Sequence, residues 1–87
     1  MKHLLMILAL GAFLVSCGKT ECTTADRSTW QDEAAFKQQL TEQGYRIEEF
    51  KVTDGNCYEI YGWDKDNKKV EIYFNPVDGS KVKEEIH

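Results

Sequence analysis

The stretch "CYEIYGWDKDNKKVEIYFN", Cys57 to Asn75, decides the fold. Val70, Ile72 and Phe74 alternate with Lys69, Glu71 and Tyr73, the period-two pattern of a strand with one buried face. Upstream, Tyr58, Ile60 and Gly62 alternate with Cys57, Glu59, Tyr61 and Trp63. Matching one buried set to the other pairs Phe74 with Tyr58, Ile72 with Ile60 and Val70 with Gly62. That register leaves Lys65-Asp66-Asn67 as a three-residue loop and sets Asp64 opposite Lys68. Asn67 then takes the left-handed position. The other face of the hairpin carries Cys57, Glu59, Tyr61, Trp63, Lys69, Glu71 and Tyr73.

Working outward, Tyr45 to Val52, "YRIEEFKV", is expected to be the preceding strand. Tyr45 and Ile47 alternate, Glu48-Glu49 intervene, and Phe50 and Val52 resume out of phase. A bulge near Glu48-Glu49 restores a common face. "TDGN", Thr53 to Asn56, supplies an Asp-Gly hairpin signal. After the decisive stretch, Asn75-Pro76-Val77-Asp78-Gly79 forms a turn, proline setting φ early and glycine supplying the special conformer. Lys81 to Ile86, "KVKEEI", is expected as a short last strand with Val82 inward and charges suited to an exposed edge.

Ser28 to Gly44, "STWQDEAAFKQQLTEQG", is expected to be one helix. Ser28 or Thr29 can cap it, Asp32 and Glu33 suit its first turns, and Gly44 fits just past its end. Ala35, Phe36, Gln39, Leu40 and Gln43 form a narrow stripe, which suits a helix covering a sheet. Trp30 is expected to act as a packing lid. The fold class is therefore α+β: one N-terminal helix packed on a three- to four-stranded antiparallel meander, in two layers.

The 87-residue chain starts with Met1-Lys2-His3 and an apolar run from Leu4 to Val15. That run has the length of a signal-peptide core and falls short of a membrane span of about 20 residues. "LVSC", Leu14 to Cys17, resembles the lipobox of bacterial lipoproteins, which implies acylation of Cys17; Ser16 would also suit a plain secretory cut. Acyl chains on Cys17 would anchor the chain at a membrane. Gly18, where an aspartate would mark inner-membrane retention, points to the outer membrane. The expected divisions are a signal peptide over 1–16, a lipid-proximal tether over 17–27 and the domain over 28–87. Cleavage leaves ten basic and fifteen acidic side chains, a net charge of −5. So acidic a chain, without a basic stripe, does not suit nucleic acid.

With Cys17 lipidated, Cys22 and Cys57 remain as an even pair in an oxidising compartment, where a disulfide is expected. It would close a loop of about 35 residues, for roughly 4 kcal/mol of chain entropy. Three other roles for Cys57 fit the sequence less well. A nucleophile needs a base, and of the two histidines His3 leaves with the signal and His87 is the last residue, expected to fray. Cys22, Cys57 and His87 match no compact zinc spacing, so no metal site is expected. A redox pair would favour Cys-x-x-Cys, which the chain lacks.

The order of "W…EAAF", "GYRIEEFKV", "GNCYEIYGWD" and "VEIYFNPVDG" resembles the PepSY domain from about Trp30 to Glu85. Small exported members of that family often carry a cysteine just upstream of the helix tryptophan and another before the Tyr-Glu of the second strand, places that Cys22 and Cys57 match. The resemblance implies an extracytoplasmic binding module without catalytic residues. PepSY domains occur in propeptides of thermolysin-like metallopeptidases, and restraint of peptidase activity has been proposed for the family. No attached peptidase accompanies this sequence.

The candidate binding face is Tyr61, Trp63 and Tyr73, set among Glu59, Glu71 and Lys69; clustered aromatics of this kind suit protein recognition. The competing explanation is cross-strand pairing, with Lys69 over Trp63 and the Cys22 tether across the rings. Asp64, Asp66 and Asn67 fail as a calcium loop because Lys68 takes the next alternate position. Glu48 and Glu49 fit a bulge better than acid–base work. No cofactor is expected. The expected function is a non-enzymatic, lipid-anchored envelope module binding an unknown protein or peptide. A regulator of an envelope peptidase ranks second, and a small thiol redox protein third.

Overall fold

The computed structural model describes residues 19–87, so the expected signal run and Cys17 lie outside the described residues. The order is a 3-10 turn (Arg27–Thr29), helix α1 (Glu33–Glu42) and strands β1 (Arg46–Val52), β2 (Tyr58–Trp63), β3 (Lys69–Phe74) and β4 (Lys81–Ile86). The strands form one antiparallel sheet in sequence order, β1-β2-β3-β4. The class is α+β, one helix with a four-stranded meander.

The central hairpin has the expected register. Tyr58 pairs with Phe74, Ile60 with Ile72 and Gly62 with Val70. Asp64 closes the loop by donating its N–H to the Lys68 carbonyl at 2.9 Å. Its carboxylate accepts the N–H groups of Asp66 and Lys68. Asn67 takes φ 65°, as the loop length demands.

The slip in β1 is a bulge. Ile47 faces Gly62 and Glu49 faces Tyr61, so Glu48 is the additional residue. Gly62 is what this place requires: a Cβ there would lie 2.0 Å from the Arg46 carbonyl oxygen. The first hairpin turn is where Asp-Gly places it, but Asn56, not Gly55, takes the left-handed backbone, at φ 63°. Gly55 serves close approach instead, since its missing Cβ would collide with the Thr20 carbonyl.

The helix starts later than Ser28 or Thr29. Asp32 caps it, its carboxylate accepting the Ala35 N–H at 3.0 Å. Ser28 and Thr29 lie in the 3-10 turn, which Asp26 caps. Between the two turns Trp30 is extended, and the Gln31 N–H donates to the Pro76 carbonyl at 2.8 Å. That long-range bond takes the chain out of helical geometry before Asp32. At the other end Gly44 has φ 102° and ends the helix as expected.

The core cluster comprises Phe36, Leu40, Tyr58, Ile60, Val70, Ile72 and Phe74. Only Phe36 and Leu40 of the expected helix stripe are buried; Ala35, Gln39 and Gln43 are exposed. Tyr58 organises the aromatic part, with the rings of Trp30, Phe36 and Phe50 at 5.7, 5.3 and 5.1 Å. Its hydroxyl donates to the Gln31 carbonyl. Trp30 is thus the lid the sequence suggests. Each fully buried Ile or Val contributes about 1.5–3 kcal/mol of transfer free energy.

Val82 is not inward. It is 43% exposed, because the register shifts between Tyr73 and Phe74: Tyr73 faces Lys83 and Phe74 faces Lys81. Val82 is the residue left over in this bulge. The alternation of "KVKEEI" cannot disclose an irregularity at a strand's start. A bulged, charged edge resists pairing with another chain.

Candidate functional site

β2 and β3 present Glu59, Tyr61, Trp63, Lys69, Glu71 and Tyr73 on the face opposite the core cluster, with Lys51 added by β1 and Lys83, Glu85 and His87 by β4 and its end. Tyr61, Trp63 and Tyr73 therefore share one face, and all three are half-buried. Each has a cation beside its ring. Arg46 and Lys69 flank Trp63 at 4.9 and 5.8 Å, Lys51 lies 5.3 Å from Tyr61, and Lys83 lies 5.9 Å from Tyr73. Contacts of this type contribute about 0.5–1 kcal/mol at exposed sites.

Cys22 and Cys57 form a disulfide across 35 positions, with the Cys57 residue fully buried. The described part of the tether runs beside the β1–β2 turn, where the Cys22 N–H donates to the Gly55 carbonyl at 2.9 Å and the Asn56 side chain donates to the Thr23 carbonyl at 3.1 Å. Cys57 immediately precedes β2, and the rings lie farther along the strands.

The residue that sequence reasoning underrated is Glu59. It is 4% exposed on a face that alternation marks as solvent-facing, and its Oε2 has no hydrogen-bond partner among the described residues. Burial pushes its carboxyl up, and hydrogen bonding to Glu71 adds to this. Burial acts upward on Glu71 too, but hydrogen bonds from Glu59, Tyr73, Tyr61 and His87 prevail and hold it at about 2. The two neighbouring carboxyls are thus pushed in opposite directions, Glu59 up and Glu71 down. Hydrogen bonding to Glu71, then to Glu59, raises Tyr61; burial, then Glu71, raises Tyr73. The Tyr73 hydroxyl donates to Glu71 Oε2 at 2.8 Å. The register contained a signal for this group, since Glu59 and Glu71 are diagonal neighbours.

His87 does not fray. Its N–H extends the ladder to the Lys69 carbonyl at 2.9 Å, and its Nε2 lies 3.5 Å from Glu71 Oε1. Asp64 and Asp66 sit in the β2–β3 loop, away from this cluster, and Asp64 is committed to backbone N–H groups. Glu48 occupies the bulge and Glu49 faces Tyr61. Among the described residues, no helix is long and apolar enough to cross a membrane.

Neither the curated proteins nor the solved structures contain a match to this chain. The sequence profile of the family described as peptidase propeptide and YPEB domain matches residues 2–85. With that match running over nearly the whole sequence, the chain belongs to the PepSY family.

Proposed function

We propose that this chain is a non-catalytic, lipid-anchored binding module of the bacterial cell envelope. Cys17 carries the acyl anchor, residues 17–27 form the tether and residues 28–87 form the binding domain. The outer membrane is the favoured location, because Gly18 follows the cysteine. Helix α1 remains over the core face as one of two layers. The opposite face, with Tyr61, Trp63 and Tyr73, is then left to receive a protein or peptide.

The observation that carries this reading is the shared placement of those three aromatics on the face away from Phe36 and Leu40. Half-exposed tyrosine and tryptophan offer large contact area at small entropic cost. Regulation of an envelope peptidase is the narrower version, favoured by the family's description as a peptidase propeptide domain. The thiol redox alternative loses ground because the Cys57 sulfur is buried in a disulfide.

The test is capture from solubilised membranes with the wild-type chain and with Tyr61, Trp63 and Tyr73 all changed to alanine. Loss of a specific partner in the triple variant is expected. Equal capture by both proteins removes the aromatic face from the account. Intact mass of the mature protein checks the anchor: diacylglycerol on Cys17 is expected, and an unmodified Cys17 refutes that part.

A further inference from the structure

We propose that Glu71, Glu85 and His87 bind a divalent transition-metal ion of the zinc type, with the buried carboxyl of Glu59 linked to Glu71 from β2. Three observations place the ion. First, one donor atom from each of Glu71, Glu85 and His87 lies within 4.8 Å of the others. His87 Nε2 is 3.5 Å from Glu71 Oε1 and 3.9 Å from Glu85 Oε1. Donors at about 2.0–2.1 Å from a tetrahedral ion sit roughly 3.4 Å apart, so small side-chain adjustments close the site.

Second, the remaining carboxylate oxygens are already occupied. Glu71 Oε2 accepts from the Tyr73 hydroxyl at 2.8 Å, and Glu85 Oε2 is held by Lys83 at 3.3 Å. Both outer contacts leave the Oε1 atoms turned toward His87. Metal-binding carboxylates are typically oriented by such supporting groups.

Third, the arrangement is costly without a cation. Glu71 and Glu85 are direct cross-strand partners, and like charges in that relation destabilise a sheet. Behind them Glu59 is nine-tenths buried or more, linked to Glu71 and with Oε2 unpartnered. A divalent ion between Glu71 and Glu85 offsets the repulsion of that pair. An imidazole with carboxylates favours zinc over calcium or magnesium, which prefer all-oxygen shells.

The experiment is titration of the whole chain, disulfide intact and in detergent, with zinc chloride by calorimetry, and with cobalt(II) by absorption. One ion per chain is expected, with a cobalt spectrum that lacks thiolate charge transfer. His87→Ala and Glu71→Gln should each weaken zinc binding by about tenfold or more. Glu49→Gln, on the same face in β1, should leave it unchanged. His87 is half-exposed, so its variant should retain the wild-type melting temperature without metal and lose only the zinc-induced rise. Absence of saturable one-to-one binding overturns the proposal. So does binding equal to wild type in both His87→Ala and Glu71→Gln, or a thiolate band pointing to cysteine.

Discussion

On the core face of β2 and β3, Ile60 and Ile72 lose all exposure beside Tyr58, Val70 and Phe74. On the other face of the same strands, Cys57 and Glu59 are buried nearly as deeply by different means. A disulfide and the tether cover Cys57, while the cation-flanked rings of Tyr61 and Tyr73 and the carboxyl of Glu71 neighbour Glu59. The first face follows the hydrophobic effect, and its side chains need only shape and volume. The second depends on a covalent bond and on polar partners that must each be in place. A domain this small has little core to spare, and its second face adds stability through the disulfide and these polar partners.

The largest expected break in this comparison is on the polar face. Changing Cys22 and Cys57 together to serine should cost about 4 kcal/mol, the chain-entropy value for a loop of about 35 residues. Urea denaturation of the double variant, and of wild type with and without reductant, measures it. A loss below about 1 kcal/mol would mean that the tether contacts at Gly55 and Asn56 hold the staple's place without it.

A smaller loss tests the apolar face. Ile72→Ala should cost about 3 kcal/mol, within the usual 2–5 kcal/mol for deleting buried methylenes of this kind. It should do so equally with the disulfide formed or absent, because the two sites lie on opposite faces and share no partner. Strong non-additivity in the combined variant would show that the faces are not independent, and the contrast drawn above would fail.

The two faces also differ in how far the sequence discloses them. Strict alternation from Tyr58 to Phe74 is enough to determine the hairpin register, because a one-residue slip would expose every core side chain. The phase break at Glu48-Glu49 locates the β1 bulge for the same reason. Where the outcome rests on a distant partner, local pattern fails. The helix start depends on the Gln31 bond to Pro76, and no count of capping residues near Ser28 contains that bond. Val82 looks inward from its own strand, but a bulge decided by the pairing with β3 leaves it outside. The candidate aromatic face was legible as a set. Burial of Glu59 and the ordering of His87 were not, since alternation assigns a face and says nothing of depth. The Cys17 region lies beyond the described residues, and its reading still rests on the lipobox resemblance.

The subtlest difference between the faces is their response to pH. Glu59, raised by burial and by Glu71, contributes most below the ordinary glutamate value of about 4.3, and its contribution is lost as pH rises through its folded pKa. Glu71 has the opposite sign: its contribution is present above the ordinary value and is lost as pH falls toward about 2. Together the pair favours a stability maximum near the ordinary glutamate range. Glu59→Gln keeps a hydrogen-bond donor for Glu71 and removes the ionisation. The variant should therefore gain on wild type as pH climbs above about 4.3, while the acid-side decline through Glu71 persists. Denaturation midpoints from pH 3 to pH 8 for the two proteins, taken in chelator to exclude metal, measure the slope. A difference that stays constant across that range would show that Glu59 does not titrate differently on folding, and the polar face would then be held by the disulfide and the rings alone.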